Sequence, residues 1–118
     1  MDKKNGITLI IGGNASGKTR LLKELREIAG GNAEYYNYRE TEDLLAQEMD
    51  KEKFSTLLVD EPFITGQIGG KPIAKFIMQL AKKRKVVVAT SFDGAEFLFS
   101  AAGDLKLEIF YMSYWHAR

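Results

Sequence analysis

A chain of 118 residues is one domain's worth of sequence, too short for two full-sized domains, so a single unit over residues 1–118 is expected. Seventeen Lys and Arg against sixteen Asp and Glu leave a net charge of +1, which excludes a global field drawing the protein to nucleic acid or to an anionic membrane. The lack of cysteine excludes disulfides and cysteine-ligated metals, the start lacks a signal peptide's apolar segment, and no run approaches the ~18 apolar residues of a membrane span, so a cytoplasmic protein is expected.

Short apolar runs alternate with helical patterns, which predicts a parallel sheet with helices on its faces. Ile7 to Ile11 is the first strand, and its unbroken apolar character suits burial on both sides. A helix follows from about Gly17 to Ala29, with Leu21, Leu22, Leu25 and Ile28 as its apolar stripe and Gly30-Gly31 as its stop. Tyrosine-rich Glu34 to Tyr38 reads as the second strand, and Thr41 caps a helix through about Lys51. Thr56-Leu57-Leu58-Val59-Asp60 is the third strand, halted by Pro62. A loop from Phe63 to Gly70 leads to a helix with Pro72 in its first turn. Ile73, Phe76, Ile77 and Leu80 line one face of that helix, and Lys82-Lys83-Arg84-Lys85 closes it. Val86-Val87-Val88-Ala89-Thr90 is a β-branched strand, and Asp93 begins a short helix through about Ala102. Leu105, Leu107, Ile109 and Tyr111 then alternate with Lys106, Glu108 and Phe110, a half-exposed strand at the sheet edge.

Between the first strand and the first helix stands Gly12-Gly13-Asn14-Ala15-Ser16-Gly17-Lys18-Thr19, which satisfies G-x-x-x-x-G-K-[ST] in the strand-to-helix context that motif requires. Glycine at 12 and 17 lets the backbone wrap closely around phosphate, with consecutive N–H groups forming an anion nest at the helix N-terminus. Lys18 is placed to reach the β- and γ-phosphates and Thr19 to offer its hydroxyl to Mg²⁺. Ligands of open parallel sheets bind beyond the carboxyl ends of the strands, so the strand ending in Asp60-Glu61 brings both acids to the rim that carries the loop. Thr90 and Ser91 end another strand on that rim, where such hydroxyls either position a water or satisfy the backbone of the turn.

The two stretches resemble the Walker A and Walker B motifs of P-loop nucleoside triphosphatases, and the likeness runs from about Ile7 to Tyr111. It implies a three-layer α/β/α P-loop fold with a mostly parallel sheet of about five strands. It also implies Mg·ATP as ligand, Asp60 on the metal through water, and Glu61 polarising the attacking water as in the catalytic-glutamate branch. The N-K-x-D segment of guanine-specific enzymes is not matched by Thr90-Ser91-Phe92-Asp93, which favours ATP over GTP. Asp60-Glu61-Pro62 and Val86 to Thr90 are similar to ABC- and RecA-like ATPases, without the ABC signature L-S-G-G-Q. Asp60-Glu61-Pro62-Phe63 and Val88 to Gly94 are similar to type II thymidine kinases, whose cysteine zinc module this chain lacks.

Three readings therefore stand: an ATPase, a nucleoside or nucleotide kinase using Phe63 to Gly70 as lid and Glu61 as base, and a switch that binds ATP without turnover. An ATPase of this kind is slow without an arginine finger, for which Arg39 and Arg84 are candidates, supplied within a homo-oligomer or by a partner. Lys82 to Lys85 reads either as a nucleic-acid contact or as cations favoured at a helix C-terminus. The aromatic tail from Phe110 to Arg118 either stacks bases, docks a partner or completes the core. His116, the one histidine, is no metal site by itself.

Overall fold

The computed structural model describes residues 6–13, 17–37, 56–63, 70–103 and 106–112. Among these, the elements run β1 (Gly6–Gly12), α1 (Lys18–Ala29), β2 (Ala33–Tyr36), β3 (Thr56–Asp60), α2 (Gly70–Ala81), β4 (Lys85–Thr90), α3 (Phe92–Ala101) and β5 (Leu107–Met112). The five strands form one sheet in the order β2-β3-β4-β1-β5, with every neighbouring pair parallel.

Helical crossovers cover both faces of such a sheet, which is why its central strands carry no polar alternation. Ile7, Leu9, Ile11, Leu57, Val59, Val86 and Val88 form one core with α2 and α3. Ile10, Leu58, Val87 and Ala89 form the other with Leu22, Leu21, Leu25 and Ala29 of α1. The architecture is the expected three-layer α/β/α arrangement.

The glycines around α1 act where the backbone turns left-handed: Gly17 caps it at φ 92°, and Gly30 ends it at φ 61° with its N–H returned to the carbonyls of Arg26 and Glu27. Ile28, expected on the apolar stripe, is instead 83% exposed. It stands at the margin of the stripe, and Ala29 takes the inner position.

Other boundaries shift where pairing overrides local composition. The tyrosine strand begins at Ala33 and ends at Tyr36, because its ladder pairs Ala33 with Thr56 through to Tyr36 with Val59. The helix expected over 41–51 lies outside the described residues. α2 starts at Gly70, which leaves Pro72 in the first turn, where a missing N–H breaks no intrahelical bond. It ends at Ala81, and the N–H groups of Lys82, Lys83 and Arg84 turn back to the carbonyls of Gln79 and Leu80 before Lys85 opens β4. α3 is capped by Ser91, whose Oγ accepts from the Gly94 N–H at 3.3 Å, so the helix begins earlier than Asp93.

β5 occupies the sheet edge as expected. Glu108 ties it down, accepting from Thr8 Oγ1 at 2.9 Å on β1 and from Lys85 Nζ at 3.1 Å on β4. Burial does not follow the alternation of β5, since Phe110 is exposed along with Ile109 and Tyr111. An edge strand has a neighbour on one side only. Among the described residues no helix is long and apolar enough to cross a membrane.

Among the described glycines Gly94 marks the tightest approach, because a Cβ there would overlap Thr90 Oγ1 and stand 2.9 Å from the Phe63 ring. Gly94→Ala is expected to destabilise the domain by about 1–3 kcal/mol, as overpacked positions do. The measurement is the denaturant midpoint at unchanged m-value; an unshifted midpoint would show that this contact relaxes freely.

Candidate active site

Because all the strands are parallel, β1, β3 and β4 end at one rim, with Ile11 beside Thr90 and Asp60 beside Ala89. β4 lies between β1 and β3, so the loop after β1 and the acids after β3 are separated by two strand spacings, about 10 Å. Side chains must close that gap.

Of the glycine-rich loop, Gly12, Gly13, Gly17, Lys18 and Thr19 are described, while Asn14, Ala15 and Ser16 lie outside the described residues. Lys18 opens α1 and is only 6% exposed. Its Nζ donates to the Gly13 carbonyl at 2.9 Å and stands 3.3 Å from Glu61 Oε1. Thr19 is exposed on the first turn of the helix.

Glu61 reaches Lys18 through its backbone. Its N–H donates to Ala89 O at 2.7 Å, which continues the pairing of β3 with β4 past Asp60, and its φ of 50° is left-handed. A non-glycine residue held in a sparsely populated conformation costs about 1–3 kcal/mol, a strain that persists where the surroundings determine it. The turn aims the carboxylate at β1: Oε1 meets Lys18, and Oε2 accepts from Thr90 Oγ1 at 3.2 Å. One connected series therefore runs Gly13 O, Lys18 Nζ, Glu61 carboxylate, Thr90 hydroxyl.

Asp60 is buried, with its Oδ2 accepting from the Tyr35 hydroxyl at 2.7 Å. Its Oδ1 is buried too and, among the described residues, has no hydrogen-bond partner. An unsatisfied buried oxygen costs about 1–3 kcal/mol, more when charged, so this atom fits a site for a hard cation. The donor set fits as well. Mg²⁺ uses one or two carboxylates together with substrate phosphates, and Asp60 is one such carboxylate. Lys18 supplies one positive charge against the two carboxylates of Asp60 and Glu61, so a cation also improves the local balance.

No protein-family model matches the sequence, and no curated protein matches it. Among solved structures the chain is similar to the RuvB Holliday junction branch migration motor of Thermotoga maritima, with TM-score 0.55, 16% identity and coverage of 92% of this chain. The likeness is one of fold, an all-parallel five-stranded sheet with helices on both faces. The chain spans 37% of the length of that motor structure.

Within this fold, Gly13, Lys18, Glu61 and Thr90 converge, and Asp60 ends the neighbouring strand on the same rim. Ser91 does not join them, since its hydroxyl is spent on the cap of α3. Tyr35 is a residue that sequence reasoning missed. Its only signal was a tyrosine in a strand that turns out to flank β3. Arg84 is corrected: it is 2% exposed, its Nη2 lies 3.1 Å from Glu34 Oε1, and it precedes β4 at the rim opposite the loop. Buried there, it cannot serve as an arginine finger. The Lys82 to Lys85 run is accordingly no four-cation patch, because Arg84 pairs with Glu34 and Lys85 with Glu108. Arg39 lies outside the described residues, as do positions 64–69 of the expected lid and the tail beyond Met112. Phe63, the first residue of that lid, stacks on Phe97 with ring centroids 5.4 Å apart.

Arg84→Met is expected to lower stability by about 2 kcal/mol, less than a fully buried pair would lose because Glu34 keeps some contact with water. Chemical denaturation measures this, and nucleotide affinity should stay where it is. A large loss of affinity at unchanged stability would return Arg84 to the site.

Proposed function

We infer that this domain binds Mg·ATP at Gly12 to Thr19 and hydrolyses it. The observation that carries the reading is the series from Gly13 through Lys18 and Glu61 to Thr90, which holds a cation and a carboxylate together at the head of a helix, on the rim where parallel sheets bind ligands.

Each residue has a physical task. The backbone N–H groups of the loop and of the first turn of α1 receive phosphate oxygens, with the helix dipole favouring the negative charge. Lys18 exchanges Glu61 for the β- and γ-oxygens and stabilises the charge that spreads over them in the transition state. Glu61, relieved of its counterion and oriented by Thr90, directs a water at the γ-phosphorus and takes a proton from it. The new P–O bond forms as the bond to the ADP oxygen breaks, so that ADP and inorganic phosphate leave. Thr19 and Asp60 would hold Mg²⁺, which supplies further positive charge to the phosphate oxygens.

The isolated chain should turn over slowly, because P-loop sites gain most of their rate from an arginine supplied by a second copy or a partner.

The test is phosphate release from Mg·ATP by the wild type, Lys18→Ala and Glu61→Gln. Lys18→Ala should lose ATP binding. Glu61→Gln should keep it while release falls by about 10²–10⁴-fold, the usual contribution of a positioned base. Release unaffected by Glu61→Gln would remove the base role. Tight binding without release by the wild type leaves the switch, and release only in the presence of a nucleoside acceptor leaves the kinase.

A further inference from the structure

Asp60 is more constrained than a metal-binding carboxylate at a strand end needs to be. Its two oxygens have different environments: Oδ2 accepts from the Tyr35 hydroxyl at 2.7 Å, and Oδ1, buried, has no hydrogen-bond partner among the described residues. Tyr35 belongs to β2, the strand beyond β3, and its register partner is Leu58, two residues before Asp60 on the same face of the sheet. The phenol thus spans from the edge strand to the acid along the face that packs on α1. Lys23 of α1 places its Nζ over the Tyr35 ring, 5.9 Å from the centroid, which braces the ring from the helix side.

We propose that Tyr35 is a positioning residue for the divalent cation of this site, fixing the Asp60 carboxylate so that Oδ1 alone is offered to the metal shell. The proposal rests on the Mg·ATP reading above. Its physics is that a donated O–H occupies one oxygen and stops rotation about the Cβ–Cγ bond. The free oxygen then needs no reorganisation when the cation arrives. Partners of this type, one step removed from the metal, typically account for 10–100-fold in affinity. The hydrogen bond runs from β2 to the end of β3 and includes none of the described residues of the phosphate loop, so Tyr35 should act on metal binding and not on the nucleotide by itself.

Two affinities separate these effects: that of a non-hydrolysable ATP analogue in EDTA, and that of Mn²⁺, followed by electron paramagnetic resonance, in the presence of the analogue. Tyr35→Phe should leave the first within twofold and weaken the second about tenfold. In an Asp60→Asn background the same change should produce no further loss of Mn²⁺, since Tyr35 acts through Asp60. A wild type that binds no analogue overturns the Mg·ATP reading and this proposal with it. A wild type that binds Mn²⁺ and analogue, with Tyr35→Phe indistinguishable from it, overturns the proposal alone. Parallel loss of both affinities, or an undiminished loss in the Asp60→Asn background, marks Tyr35 as merely structural and also overturns it. Should Tyr35→Phe fail to fold, 3-fluorotyrosine at position 35 keeps the hydroxyl. Its ¹⁹F resonance should move when Mg²⁺ joins the bound analogue and stay still in Asp60→Asn. A resonance indifferent to Mg²⁺ in the wild-type background overturns the proposal.

Discussion

β4 pairs on both sides, with β1 through Gly6 to Ile11 and with β3 through Leu57 to Asp60, and the remaining structure depends on that double pairing. It places one whole strand, two strand spacings, between the two chemical segments and determines what can span them. The last hydrogen bond of the β3 ladder, from the Glu61 N–H to Ala89 O, lies past the end of β3 and holds the acid in a left-handed turn. Without β4 at that place, Glu61 would have neither the carbonyl that turns it nor the Thr90 hydroxyl that steadies it. Packing and chemistry thus meet in one short run, since Gly94 must lack a side chain for α3 to settle against the same Thr90.

The opposite rim contains charges of another kind. Arg84 with Glu34, and Lys85 with Glu108, which also accepts from Thr8, fasten β4 to both halves of the sheet where the strands begin. These pairs hold register, whereas those at the strand ends leave an oxygen unsatisfied. Parallel topology makes such a division natural, because every strand presents its amino end to one rim and its carboxyl end to the other. One rim can be made for stability and the other for binding.

Much of this was legible in the sequence, for identifiable reasons. Ile7 to Ile11, Leu57 to Asp60 and Val86 to Thr90 read as buried strands because burial on both faces leaves unbroken apolar runs. Gly17 and Gly30 were legible because left-handed backbone selects glycine. Strand order was not, since backbone pairing leaves no periodic trace in side chains. For the same reason the contact of Tyr35 with Asp60, 25 residues apart, could not be read. The burial of Arg84 is not legible because four consecutive cations look like a solvated helix end, while the turn after Ala81 draws one of them inward to meet Glu34. Ile28 failed for a simpler reason, as helical periodicity gives a face but not the width of what covers it.

The contact between Lys18 and Glu61, both largely withdrawn from water, has a consequence for recognition. The glutamate is an internal ligand for the cation, tethered at high effective concentration, and on the proposed reading an incoming phosphate has to displace it. Weak anions, single phosphates among them, compete poorly with a carboxylate already in place. A ligand that also engages several backbone N–H groups can win the exchange, because its other contacts offset the lost ion pair. On the proposed Mg·ATP reading, selectivity for polyphosphates over lone anions would arise before any contact with base or sugar, from the protein's own side chain acting as competitor.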